Sequence, residues 1–415
     1  MSHIEDNRVS LWKKDFILLC FFSLLSFTVT QIANSTTSLF VDALGGSATY
    51  SGFMMFAYTA AALIVRMLCG KWIDRLGCRV FILSGAVSMA VSIACYNFFP
   101  ILPALGVWRF LQGVSFSMIS TAAGVAVANA LHPSLLGKGI SVFSLAHSCA
   151  TTIGPYLGLA LIMGDRFHAV YWTAAAISLV SVVLAMNCSF RVNAQTALLQ
   201  KAARPAPEAP PRGDAPAPAR KAGRKGLLGA YFERAAVNPA VIQLIVCVSV
   251  SSIIFFLPLF AVDKPYADAG LFFVVASLAM IASRLLVVRI IDSVSIAVIL
   301  VPCMLGGVVC MLCVAFIANT PVFLAAACLY GCLHGICQPT LNTVVMSEAP
   351  IHRRGVAMAT FFLFVDSGMG AGALLWGRLI DLFGFTIVYC IGAALLLFNT
   401  PLLLLLRVGR SEAEA

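Results

Sequence analysis

The chain has 415 residues, 61% of them hydrophobic and only 11% charged, with a mean hydropathy of +0.97 and a formal net charge of +10. That excludes an ordinary soluble domain, in which about 25% of residues are charged. The positive balance fits orientation in a membrane and attraction to anionic lipid, and no nucleic-acid partner is expected.

Twelve apolar runs follow one another, at about 16–38, 49–70, 80–99, 102–130, 139–163, 169–190, 240–261, 267–290, 294–317, 321–346, 355–379 and 384–406. Each is close to the ~20 residues that cross ~30 Å of hydrocarbon. The alternation of a membrane β-barrel is absent, so the runs predict helices. Lys13 and Lys14 precede the first run, which exceeds a signal-peptide core and has no small-residue cleavage site after it; it predicts a retained span. Between the sixth and seventh runs, "RPAPEAPPRGDAPAPARKAGRK" (204–225) is too poor in apolar residues to fold. The organisation expected is an N-terminal six-helix half (1–190), a largely disordered cytoplasmic linker (191–238) and a C-terminal six-helix half (239–415), all-α throughout.

Cations set the expected orientation, because short loops rich in Lys and Arg stay in the cytoplasm. One side carries Arg8, Lys13, Lys14, Lys71, Arg75, Arg79 and Lys138, nine cations between Arg191 and Arg234, then Arg289, Arg353, Arg354, Arg407 and Arg410. The other carries only Arg166, Lys264 and Arg378. Both termini are therefore predicted to be cytoplasmic, in an inner or plasma membrane. Nearly all of the fourteen cysteines fall inside the runs, as small buried apolar residues. Cys332, His334 and Cys337 scatter around one helix, so no metal site is predicted.

The halves share a faint repeat. A shift of 218 places Gly52 on Gly270, Arg66 on Arg284 and Asp74 on Asp292. A shift of 216 places Gly139 on Gly355, Gly154 on Gly370, Asp165 on Asp381 and Phe167 on Phe383; one of 222 places Leu111 and Gly113 on Leu333 and Gly335. Parallel repeats of this kind are typical of one class of secondary transporters.

"GKWIDRLGCRV" (70–80), between the second and third runs, resembles the signature loop of the major facilitator superfamily, G-x-L-x-D-R-x-G-R-[RK]. Gly70, Asp74, Arg75, Gly77 and Arg79 match; Trp72 and Cys78 depart from it. "RFLQG" (109–113) is similar to the fourth-helix motif R-x-x-x-G, and "GPYLG" (154–158) to the fifth-helix motif G-P-x-x-G of the family's exporters. The resemblance runs through all twelve spans and is nearest to the proton-linked drug and metabolite exporters. It implies a loop that latches the two halves on the cytoplasmic side. Asp74 would face the start of the eleventh helix near Arg354, Asp292 would make a weaker mirror contact near Lys138, and Arg66 and Arg284 belong to the same motif pair. It also implies that Arg109 serves proton coupling and the central cavity, with Asp42 as a possible acidic partner, and that Gly154, Pro155 and Gly158 keep the outer side sealed.

Polar groups inside a bilayer are costly and point to function. Asp366 lies twelve residues past Arg354, about 18 Å along a helix and so near the midplane. His147 lies about 13 Å in from Lys138, with His334 at a comparable depth on the tenth run. All three are proton-carrier candidates. Exporters of the family often carry an acid in the first helix where this chain has Gln31 and Asn34, so Asp366 or His147 would take that role. Gln31, Asn34, Gln112, Gln338 and Asn342 form the expected cavity set.

The expected function is proton-linked efflux of a small organic molecule by alternating access. The alternative is an uptake permease for a nutrient or an organic anion drawn to Arg109; a sensor that binds without transporting is the third reading. No nucleophile–base pair, nucleotide loop or cofactor motif is present, so neither an enzyme nor a cofactor is expected, and the proton gradient is the energy source. The expected partners are a small-molecule substrate and the lipid bilayer, with the monomer as the working unit.

Overall fold

The computed structural model describes residues 12–132, 135–162, 167–190, 233–262, 264–290, 294–350 and 353–405. The predicted linker, apart from its last residues, lies outside the described residues, as do Asp165 and Asp292. The described residues are almost all helical, because a backbone without water must satisfy its own N–H and C=O groups.

In chain order the helices are α1 (Lys14–Ala43), α2 (Ala48–Leu76), α3 (Cys78–Phe98), α4 (Leu102–Ala130), α5 (Leu136–Leu161), α6 (Phe167–Met186), α7 (Val237–Ala261), α8 (Ala269–Ile290), α9 (Ile296–Ala315) and α10 (Thr320–Glu348). A final helical stretch, Arg354–Leu405, has 52 residues and would be about 78 Å long if straight. It breaks at Gly384, whose φ of 78° and ψ of 172° leave the helical region, giving α11 (354–383) and α12 (385–405). Ten helices among the described residues are long and apolar enough to cross a membrane, with Arg354–Leu405 counted once. The one missing from that set is α5, whose middle carries Ser144, His147, Ser148, Thr151 and Thr152.

One expectation changes here. The sequence placed residues 70–80 in a loop, but helix α2 continues to Leu76 and α3 begins at Cys78. Gly70 and Asp74 therefore lie within the helix, and the reversal falls on Gly77 alone (φ 81°, ψ 157°). Charged residues continue a helix as readily as apolar ones, so the end of the apolar run was not the end of the helix.

Helices α1–α6 pack around Phe16, Phe22, Ile32, Ile82, Ile119 and Val170; α7–α12 pack around Leu257, Phe272, Met304, Phe323, Leu341 and Tyr389. A smaller cluster joins the two groups through Met55 of α2, Phe255 and Phe256 of α7, and Ala373 and Trp376 of α11. The Trp376 indole donates to the Val248 carbonyl at 2.6 Å. Leu278, Leu285, Leu286, Leu397 and Phe398 are exposed, as side chains facing lipid are.

The internal repeat is visible in packing, with corrected alignments. A side chain at Gly113 would strike the Tyr58 carbonyl and lie 3.0 Å from Ala61 Cβ; one at Gly331 would strike the Ala276 carbonyl and lie 2.9 Å from Ala279 Cβ. The shift that places Arg66 on Arg284 also places Tyr58 on Ala276, Ala61 on Ala279 and Gly113 on Gly331. Gly113 therefore corresponds to Gly331, not to Gly335. Likewise Gly154 packs on Thr28 and Gln31 of α1, and Gly368 packs on Leu244 and Cys247 of α7. Gly158 and Gly372 repeat the contact one turn on, against Ile32 and Ser35 of α1 and against Val248 and Ser251 of α7. Gly154 thus corresponds to Gly368 and Gly158 to Gly372, where the sequence had suggested Gly370 as the equivalent of Gly154.

Candidate functional site

Arg109 is the centre of the site. It lies on α4 with 0% relative exposure. Its Nη1 donates to Gln112 Oε1 at 2.9 Å and its Nη2 to Asn34 Oδ1 at 2.7 Å, with Met55 Sδ also in contact. The guanidinium lies over the Tyr58 ring, 4.8 Å from its centroid. Asn34 in turn donates to Gln31 Oε1 at 3.0 Å. Among the described residues, Arg109 Nε and Gln112 Nε2 find no hydrogen-bond partner, though both are buried. None of these partners is an acid: Asp42, considered above, lies exposed near the end of α1, two turns beyond Asn34. Among the described residues no carboxylate comes within 4 Å of Arg109. A buried cation without a counter-charge costs several kcal/mol unless something else compensates it.

Next to this network lies a cavity holding about 480 Å³ of empty space, part of it open to solvent. Gln31, Asn34 and Ser35 of α1 and Thr151 and Pro155 of α5 line one side; Ile254 of α7, Phe273, Ala276, Ser277 and Met280 of α8 and Tyr330, Gly331 and His334 of α10 line the other. The wall is mixed, with aromatic and thioether surface beside hydroxyl and amide groups, and it contains no carboxylate. A close approach of α5 to α1, which Gly154 and Gly158 permit, brings Pro155 to the wall.

The repeated arginines have different surroundings. Arg66 Nε of α2 lies 3.4 Å from Asp366 Oδ2 of α11, and its guanidinium sits over the Phe362 ring at 5.7 Å. Arg284 of α8 donates through Nη1 to Ser148 Oγ of α5 at 2.7 Å. His147, the neighbour of Ser148, meets the Phe27 ring edge-on at 5.0 Å, and His334 stacks on Tyr330 at 6.0 Å. Arg284, His147 and His334 are close enough to interact electrostatically.

Of the expected cavity set, Gln31, Asn34 and Gln112 thus join Arg109, and His334 reaches the same cavity. Gln338 and Asn342 lie one and two turns farther along α10, outside its wall, and Asn342 Oδ1 is buried without a partner. Of the gate set, Arg75 and Arg79 are exposed on either side of Gly77, and Arg354 is half-buried at the start of α11 with its Nε unpartnered. The side chain of Asp74 lies outside the described residues. Tyr58, Ser148, Tyr330 and Ser277 were missed by sequence reasoning, because a lone aromatic or hydroxyl in an apolar helix carries no signal beyond packing.

Chains of known kind agree with this architecture. The chain is 24% identical over 391 residues to the staphylopine export protein of Staphylococcus aureus, covering 91% of this chain and 92% of that one. Its backbone superposes on the nucleoside transporter NupG with a TM-score of 0.71 at 13% identity, over 94% of this chain and 98% of that one. It superposes on a D-xylose–proton symporter with a TM-score of 0.69 at 15% identity, over 93% and 96%. The likeness to these two solved structures establishes the fold. The model of the Major Facilitator Superfamily matches residues 19–373, and the chain belongs to that family of membrane transporters.

Proposed function

We propose that this chain exports a small organic anion across the plasma membrane, driven by the proton gradient, with Arg109 as the anion's anchor and Asp366 as the proton carrier. Twelve helices cross the bilayer with both termini in the cytoplasm. Residues 1–190 and 239–415 rock about the cavity, and the monomer is the working unit. The observation that carries this reading is the wholly buried Arg109 guanidinium, which among the described residues has amides, a thioether and a tyrosine ring around it and no carboxylate within 4 Å. A substrate carboxylate completes the pairing that the protein leaves open. Asp366 is suited to the proton because Arg66, its one ionic partner among the described residues, sits on the opposite half, so that rocking of the halves breaks the pair. The outward direction rests on the exporter relative and on Pro155 with its flanking glycines beside the cavity.

The test is transport by purified protein in liposomes with an imposed pH gradient, screening labelled organic anions, neutral solutes and cations of similar size. The expected result is proton-driven movement of at least one anion, in the direction opposite to the proton, lost in Arg109→Gln. Movement of neutral or cationic solutes that Arg109→Gln leaves intact overturns the anion assignment. Flux in the same direction as the proton makes the protein an uptake permease instead.

A further inference from the structure

We infer that the cavity has a second anion subsite, at Arg284, and that the substrate carries two separated carboxylate-like groups. This rests on the anion reading above and deepens it.

The first observation is that Arg284 resembles Arg109 in lacking an acid. Among the described residues its one hydrogen bond is to the neutral Ser148 hydroxyl, its Nε is buried without a partner, and no carboxylate lies within 4 Å. The second is the repeat. Arg66 and Arg284 are equivalent positions on equivalent helices, as the packing of Gly113 and Gly331 shows. Arg66 meets Phe362 and Asp366 of α11. By the match of Gly154 with Gly368, the equivalents of Phe362 and Asp366 on α5 are Ser148 and Thr152. Arg284 does bond Ser148, so the geometry is repeated, but a threonine stands where the acid would be. One half neutralises its arginine and the other leaves it uncompensated.

The third observation is position. Arg284 is one turn past Met280 on α8, and Ser148 is one turn before Thr151 on α5; Met280 and Thr151 both line the cavity. His334 stands in the cavity wall as well, and even a neutral imidazole offers an N–H to an anion. Arg109 addresses the same cavity through Asn34, which also lines it. Two cationic groups therefore stand just behind the cavity wall, Arg109 behind Asn34 and Arg284 one turn past Met280, and Tyr330 and Phe273 give that wall an aromatic surface. A molecule with one carboxylate satisfies one group only. A dicarboxylate with an apolar middle satisfies both.

The test measures binding to the full-length protein in lipid nanodiscs. The probes are straight-chain α,ω-dicarboxylates of four to ten carbons and the monocarboxylates of the same lengths. At one best length the dicarboxylate should bind more tightly than its monocarboxylate by about tenfold or more, the worth of one charge-assisted pair. Arg284→Gln should remove that preference, and Arg284→Lys, which keeps the charge and controls for folding, should retain most of it. Arg109→Gln should weaken both series. If Arg284→Gln leaves the preference unchanged while Arg109→Gln weakens binding, the second subsite is wrong and the anion reading stands. If carboxylates bind no better than the corresponding alcohols and Arg109→Gln has no effect, both are wrong.

Discussion

The two arginines of the repeat, Arg66 and Arg284, sit at matching points where the halves meet, α2 against α11 and α8 against α5. The first has an ionic partner across the interface, Asp366 at 3.4 Å, while the second bonds a serine hydroxyl. Duplicated helices thus gave duplicated cations, and the difference lies in the facing residues, Phe362 and Asp366 against Ser148 and Thr152. A charge already paired can serve as a latch or exchange a proton with its partner. A charge left open attracts an anion that arrives. In the function proposed above, coupling falls to α2–α11 and substrate to α5–α8, and the contrast can be attacked from either side.

The largest effect is expected on the paired side. Asp366→Asn keeps the shape and removes the titratable group, so exchange of substrate for substrate should continue while accumulation driven by a pH gradient disappears. The side chains of Arg66 and Asp366 are 25% and 18% exposed, so rupture costs less than the ~3–5 kcal/mol of a dry buried pair, and the variant should still insert. Counterflow and pH-driven uptake measured on the same liposomes separate the two activities. If the Asn variant still accumulates substrate against its gradient, Asp366 is a structural partner of Arg66, and His147 is the next group to replace.

How much of this was legible beforehand depends on what each residue type can announce. Arg109 declared itself by its motif, and Arg66 with Arg284 by their spacing, because a cation in an apolar run has few innocent explanations. The alignment of the halves was harder. Leu111-Gln112-Gly113 matches both Leu329-Tyr330-Gly331 and Leu333-His334-Gly335, one turn apart, and only the packing of Gly331 on Ala276 decides between them. Gly368, Gly370 and Gly372 created the same ambiguity in α11. The partner of Arg109 was illegible for a different reason. Sequence reasoning looked for an acid and found Asp42, whereas the amides Asn34 and Gln112 complete the geometry and leave the charge uncompensated.

On the open side, Thr152→Asp gives Arg284 the acid that Arg66 already has. Thr152 is half-buried, its hydroxyl bonds the Ser148 carbonyl of its own helix, and by the repeat it stands where Asp366 meets Arg66. The new pair should compete with the substrate's second carboxylate and lower dicarboxylate affinity by about tenfold, the equivalent of one lost charge-assisted bond. Thr152→Asn, of the same shape without the charge, should cost much less. Equal losses in the two variants would mean that position 152 acts through packing, and the contrast between the interfaces would lose its electrostatic basis.

The smallest effect concerns the opposite ends of the same helices, where the asymmetry appears again. The first N–H groups of α2 are capped from the other half: Asp381 of α11 accepts from Ala48 N at 3.1 Å and Thr49 N at 2.8 Å. The start of α8 is capped locally, Leu271 N donating to Asp268 Oδ1 at 2.9 Å. A carboxylate on a helix N-terminus stabilises by about 1 kcal/mol, roughly a factor of five in an opening equilibrium. Because the Asp381 bonds join the two halves, that factor weights the state in which this end of α2 rests on α11, whereas the Asp268 bond weights no particular arrangement of the halves. Asp381→Ala should therefore speed hydrogen exchange at the amides of Ala48 and Thr49 by about fivefold, and leave Leu271 unchanged. Ser47, whose hydroxyl accepts from Tyr50 N at 3.3 Å, keeps the helix itself from fraying. Asp268→Ala is the converse, loosening Leu271 without altering the start of α2. If Asp381→Ala leaves exchange at Ala48 and Thr49 as it was, water replaces the carboxylate at no cost, and the two halves are held at this end by packing, that of Gly52 on Ala373 and Gly377 included.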